Sequence, residues 1–247
     1  MLKRVLKLSD ISITDKNILK DTRNAGYNLG DLLNMPHLGN MWDSSPHRNS
    51  EELYRMNLLG SNYKNSVLDY YCSGRENEEE NVPNINLIIN AVEQFKTKNQ
   101  QILKDISVIV KEDNVCCVHV RNGDLDTEDD FIKVIIKLSY RFNKIILLSG
   151  IHLDSYYKDE KQKKKNFIKT MNNILVQRDN IYIYLNSADI HLSIMSVASN
   201  LLLHKGGFSC LGSIVCNGNL FITNYFLFAK CDNWISKVNK DYMKLTL

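Results

Sequence analysis

The chain has 247 residues, 44% of them hydrophobic, and a net charge of +3. That is enough for one large domain or two small ones with a real core, and too little charge for a general nucleic-acid binder. None of the six cysteines forms a C-x-x-C pair, which argues against a zinc ribbon or a thioredoxin-like site. Free buried thiols fit a reducing compartment. Residues 1–14 hold no long apolar stretch, no run is apolar enough to span a bilayer, and N-x-S/T is absent. These features predict a cytoplasmic chain with no signal peptide and no membrane span.

The first 84 residues read as loop-rich. Pro36, Pro46 and Pro83 all lie there, and 39–50 and 73–84 are polar and irregular, with an acidic loop at 76–81. Short helices are predicted near 29–33 and 51–59. From 85 to 110, apolar residues recur at helical spacing (Ile88, Val92, Phe95, Ile102, Ile106), over a stretch long enough to contain a break. Strands and helices then alternate. Strands are predicted at 115–121, 144–149, 180–185, 201–204 and 220–223, and helices at 128–142, within 158–176, at 189–199 and at 209–216. The lysine-rich run at 158–169 reads as the solvated face of its helix. Asp126 or Thr127 is expected to cap the helix at 128–142, with acids in its first turn where the helix dipole favours them. Adjacent Cys116 and Cys117 should point to opposite faces of their strand. Repeated strand–helix units imply a parallel sheet covered on both faces, of Rossmann-like type.

Two strand ends carry the chemistry. The apolar run Val115-Cys116-Cys117-Val118 continues into His119-Val120-Arg121-Asn122-Gly123-Asp124, so a buried strand delivers an arginine to its carboxyl end. An arginine there can clamp a phosphate with two parallel hydrogen bonds, or pair with Asp124 on the surface. His119 shares its strand face and either braces it, touches a substrate hydroxyl or is a satisfied core residue. Gly123 permits a tight turn beside a ligand. The second run, Leu201-Leu202-Leu203, ends in His204-Lys205-Gly206-Gly207-Phe208-Ser209 at a helix start. Backbone amides there can hold an anion, and Ser209 can cap the helix or bind phosphate. Asp124-Leu125-Asp126 is a D-x-D that could hold a divalent cation, but helix capping accounts for it, so no metal is assigned. Neither a P-loop, a G-x-G-x-x-G nor a G-x-S-x-G occurs. The two strand ends together suggest a diphosphate-bearing ligand.

His119-x-Arg121-x-Gly123-Asp124 resembles the H-x-R-x-G-D motif of α1,2-type and related fucosyltransferases. Asp189…Met195-Ser196…Leu203-His204-Lys205-Gly206-Gly207-Phe208-Ser209-Cys210-Leu211 is similar to their distal motif. The likeness spans about 114–223. It implies an α/β, GT-B-like architecture, with a small loop-rich N-terminal lobe at 1–110 on the acceptor side and a Rossmann-like nucleotide-sugar-binding lobe at 111–247. It implies a GDP-sugar donor, a glycan acceptor, inversion at the sugar, no metal and no cofactor. On that resemblance Arg121 binds the diphosphate and stabilises the departing charge, with His119 as its catalytic companion. Gly123, Asp124, Asp189, Gly206, Gly207, Phe208 and Ser209 complete the donor site. The base that activates the acceptor is unassigned, with Asp31 and Asp43 as candidates.

Two other readings stay open. Gly26-Tyr27-Asn28-Leu29-Gly30-Asp31 resembles the N-x-G-D opening of polysaccharide pyruvyl transferases, which also fold as two Rossmann-like lobes; alternatively Asp31 simply caps a helix. A non-catalytic nucleotide-sugar- or glycan-binding protein is the other.

Overall fold

The computed structural model describes residues 18–20, 85–122, 127–153, 160–186, 188–205, 207–225 and 242–245. In chain order they form β1 (Ile18–Lys20), α1 (Ile85–Lys98), α2 (Gln100–Val110), β2 (Val115–Asn122), α3 (Asp129–Ser139), β3 (Lys144–Leu153) and α4 (Glu160–Leu175). Then follow β4 (Ile181–Tyr184), α5 (Ala188–Val197), β5 (Asn200–Leu203), α6 (Gly207–Val215), β6 (Asn219–Ile222) and β7 (Tyr242–Lys244).

The strands make one seven-stranded sheet in which every pairing is parallel. Its main run is β4-β3-β2-β5-β6-β7, with β1 beside the last residues of β3, on the edge that β4 occupies lower down. Counted from β2, this is the 3-2-1-4-5-6 order of a Rossmann-like sheet. Chain direction across the sheet reverses between β2 and β5, and ligands of such sheets bind in the crevice outside the carboxyl ends at that point.

A strand covered on both faces can be apolar throughout, and β2 is buried at every residue but Arg121. Alternate residues serve different layers. Cys116, Val118 and Val120 join Ile145, Leu147, Ile183 and Leu202 against Phe131 and Ile135 of α3 and Phe167 and Met171 of α4. Cys117 stands outside that cluster, as expected of a neighbour on the opposite face. Leu201 and Leu203 point away from it, toward Gly212 of α6, where a side chain at 212 would meet Met195 of α5 and both leucines. On that second face α1 and α2 pack with α5 and α6. α2 also contacts β2, and β1 lies on the edge of the sheet beside β3.

Asparagines close the amino-terminal edge. Asn200 Nδ2 donates to the carbonyls of Asp113 and Val115, each at 2.9 Å, and Asn219 Nδ2 to Asn200 Oδ1 at 3.0 Å. The amino-terminal ends of β2, β5 and β6 are thereby tied together.

Several boundaries differ from those expected. The helical run 85–110 does break, at Asn99, whose Nδ2 bonds back to the Phe95 carbonyl at 2.9 Å and so competes with the helix for its own backbone partner. β3 runs to Leu153, beyond the expected 149, because β1 pairs with its end. The short strands β1 and β7 had no recognisable alternating pattern. The expected helices near 29–33 and 51–59 lie outside the described residues. No helix among the described residues is long and apolar enough to cross a membrane.

Candidate functional site

The ladder between β2 and β5 ends at Val118 opposite Leu202. Beyond it the two strands diverge, and side chains take over the backbone groups that the ladder leaves. The Arg121 N–H donates to His204 Nδ1 at 3.2 Å, and the Arg121 carbonyl accepts from Thr127 Oγ1 at 3.2 Å. Asn122 Nδ2 donates to the same hydroxyl at 3.3 Å. Both backbone groups of Arg121 are thus held, and its half-buried side chain leaves a fixed point. Asp126, which lies outside the described residues, or Thr127 was expected to cap α3. The Thr127 hydroxyl instead turns back to β2, and Glu128 occupies the cap position without a side-chain cap bond. The acids of the first turn, Asp129 and Asp130, are where the dipole argument places them.

His204 is the centre of this side of the crevice. Its ring stacks on Phe131 with centroids 3.9 Å apart and meets the Tyr225 ring edge-on at 6.3 Å. Because Nδ1 accepts the Arg121 amide, the ring proton sits on Nε2, which donates to Glu128 Oε2 at 2.8 Å. Glu128 Oε1 pairs with Lys205 Nζ. Burial alone would raise the Glu128 carboxyl, but the hydrogen bonds from Lys205 and His204 outweigh it and hold the carboxyl below its usual range. Burial lowers His204 to about 4, against the opposing pull of Glu128, so the ring is neutral at physiological pH.

The opposite face of the crevice is built from His119 and α6. His119 Nδ1 lies 2.6 Å from Ser209 Oγ, and its ring tilts against Phe208 with centroids 5.2 Å apart. Both His119 and Ser209 are buried. Burial pushes His119 well below its ordinary value, and the cationic forms of His204 and His191, with Arg121, push the same way. α6 begins at Gly207, two residues before the expected start at 209. Ser209 therefore lies within the first turn rather than at the cap, and its side chain ties α6 to β2. The first-turn amides of α6 lack intrahelical partners and the helix dipole is positive there, so this end of the helix suits an anion.

The remaining predicted residues divide simply. Asp189 lies in the first turn of α5, 4% exposed, and its carbonyl accepts from Ser193 Oγ at 2.8 Å. Near it His191 Nε2 donates to the Tyr184 carbonyl at 3.0 Å, and burial lowers that ring to about 4. Gly123, Asp124, Asp126 and Gly206 lie outside the described residues, as do Asp31 and Asp43. Among the described residues no trio of histidine, cysteine or carboxylate side chains is placed to hold a metal. The structure thus brings together Arg121, His119, Phe208 and Ser209 at one switch point, and adds Thr127, Glu128, His204 and Lys205 to it. One signal for these additions was present in the sequence: a histidine and a lysine end the Leu201-Leu202-Leu203 run just as His119 and Arg121 end theirs.

The buried cysteines are not part of this chemistry. Cys116 and Cys117 lie in the sheet with their thiols pushed well up by burial, which leaves them protonated and unreactive. Compared with known proteins, the chain matches no family model, no curated protein and no solved structure.

Proposed function

We propose that the chain is an inverting, metal-independent glycosyltransferase that moves fucose, or a related sugar, from a GDP-sugar to a glycan acceptor, with a GT-B-like two-lobed arrangement. The observation that supports this reading is that β2, which carries Arg121, and the first turn of α6, tied to β2 through His119 and Ser209, lie where the strand order of the sheet reverses. A planar cation and a set of outward amides facing one crevice are the two devices proteins use for a diphosphate. In transfer, the charge that develops on the leaving GDP has to be neutralised, and a preorganised arginine does this without reorganising. His119 holds Ser209 and with it the first turn of α6, so we assign it a supporting place beneath the donor. Asp189, Gly207 and Phe208 are assigned to the donor site with them, and so are Gly123, Asp124 and Gly206, which lie outside the described residues.

The test is a titration of GDP and GDP-fucose in EDTA, followed by a glycan-acceptor screen. Metal-free GDP binding with sugar transfer is the expected outcome. Binding only with Mn²⁺ removes the metal-free assignment, and saturable nucleotide binding without transfer to any acceptor favours a non-catalytic binding protein.

A further inference from the structure

We infer that Glu128 and His204 are positioning residues: together they fix the backbone of Arg121, and so the place from which its guanidinium enters the crevice. The inference rests on the reading that Arg121 meets the ligand, but its geometry is independent of which ligand that is.

The chain of contacts is continuous. A carboxylate at the start of α3 accepts the Nε2 proton of a histidine that follows β5. That leaves Nδ1 as a bare acceptor, which takes the Arg121 N–H of β2. Only one neutral tautomer satisfies both contacts, and Glu128 selects it, because a carboxylate cannot donate and therefore demands N–H at Nε2. Lys205 pairs with the other oxygen and keeps the carboxylate charged and oriented. Phe131 stacks on the ring and blocks rotation about its axis. The relay sits beyond the last β2–β5 ladder pair, where the Arg121 N–H bonds a side chain of the chain that follows β5 in place of a β5 carbonyl. Ordinary strand packing does not need a carboxylate here. A histidine bridging a charged group and one backbone amide, two residues beyond the last ladder pair on β5 and three beyond it on β2, is an arrangement for setting a position.

The charged and titratable groups around His204 come from every neighbouring element. They are Glu128 and Asp130 at the start of α3, His119 and Arg121 on β2, Lys205 after β5, and Tyr225 after β6, whose hydroxyl bonds Asp130. Protonating His204 removes the acceptor for the Arg121 amide.

The experiment uses the ligand-free full chain, labelled with 15N. In wild type the His204 ring should show a bare Nδ1 and a protonated Nε2, and the Arg121 amide should be protected from exchange. Glu128→Gln should convert the ring to a mixture of tautomers, because the amide can accept or donate, and should raise the exchange rate of the Arg121 amide roughly tenfold or more. His204→Asn places a carbonyl oxygen near the Nδ1 position and should keep Arg121 protected. His204→Gln reaches the Nε2 position instead and should not. A wild-type ring protonated on Nδ1, or an Arg121 amide equally protected in Glu128→Gln and His204→Gln, overturns the relay. Nucleotide affinity is measured in parallel. His204→Asn should stay within a few-fold of wild type and His204→Gln should weaken GDP roughly tenfold, the effect of one lost buried hydrogen bond. If no variant and no wild type binds GDP, the transferase reading falls while the exchange data still decide the relay.

Discussion

At the scale of single residues the site depends on geometry more than on charge. Arg121 leaves β2 from a backbone fixed at both its N–H and its carbonyl. A lysine there keeps the charge but offers a point cation in place of a planar fork. Arg121→Lys should therefore weaken GDP by about tenfold to hundredfold, the loss of one charge-assisted phosphate contact of about 1.5–3 kcal/mol. Isothermal titration of both proteins at one ionic strength checks this, and equal affinities would make Arg121 a structural residue. The sequence showed Arg121 and His119 because each interrupts an apolar strand. It did not show what those side chains do. His119 ties down Ser209 and carries one bond the sequence could not assign, since the two are 90 positions apart. Thr127 looked like a helix cap because local patterns see only the following helix, whereas its hydroxyl is used by the preceding strand. Glu128 looked like one acid among several, and its role needs the fold that brings β5 alongside β2.

At the scale of elements, the alternation of strand and helix from 115 onward was legible because burial on both faces forces long apolar strands and amphipathic helices. What was not legible is what pairing alone creates. β1 and β7 are each three residues long and exist because β3 and β6 offer free edges to them. The start of α6 was misplaced by two residues because a glycine at the first helical position gives no start signal, and the serine that looks like a cap is engaged elsewhere. That correction sharpens a prediction. With α6 beginning at Gly207, the backbone of this residue stands at the helix end proposed to hold the diphosphate, and Gly207→Val adds a branched side chain there. GDP binding should fall beyond detection while the thermal midpoint changes by only a few degrees. A variant with unchanged affinity would remove the α6 turn from the site. A glycine of the opposite kind lies after α6. A side chain at Gly218 would stand 2.2 Å from the Ala198 carbonyl oxygen, a backbone atom that cannot step aside. Gly218→Ala should cost about 1–3 kcal/mol in chemical denaturation, with the denaturant slope unchanged.

At the scale of the whole molecule, the carboxyl half of the sheet is stabilised by imidazoles kept neutral in the interior. His119, His191 and His204 all have folded values below the ordinary 6.5 because burial penalises their charged forms, His191 and His204 reaching about 4. In the unfolded chain each regains its ordinary value and takes up a proton first as the solution is acidified. The unfolded state then binds more protons than the folded one, so stability falls as pH falls. Their contribution is complete above about pH 6.5 and is lost progressively as pH drops toward about 4, below which His191 and His204 are protonated in both states. Glu128, held below its usual range, adds a loss of the same sign, but only below its ordinary carboxylate value of 4.5. The interval from pH 6 to pH 5 therefore belongs to the histidines. With two to three of them titrating only in the unfolded chain, the free energy of unfolding should drop by roughly 2–4 kcal/mol across that unit. Urea unfolding at half-unit steps measures this directly. His191→Gln gives the internal control: its amide can still donate to the Tyr184 carbonyl, it does not titrate, and it should reduce the slope by about one proton. A slope unaffected by His191→Gln would show that the His191 ring titrates alike in both states, and a stability flat between pH 6.5 and 5 would show the same of all these rings and would remove the neutral His204 on which the hold on Arg121 depends.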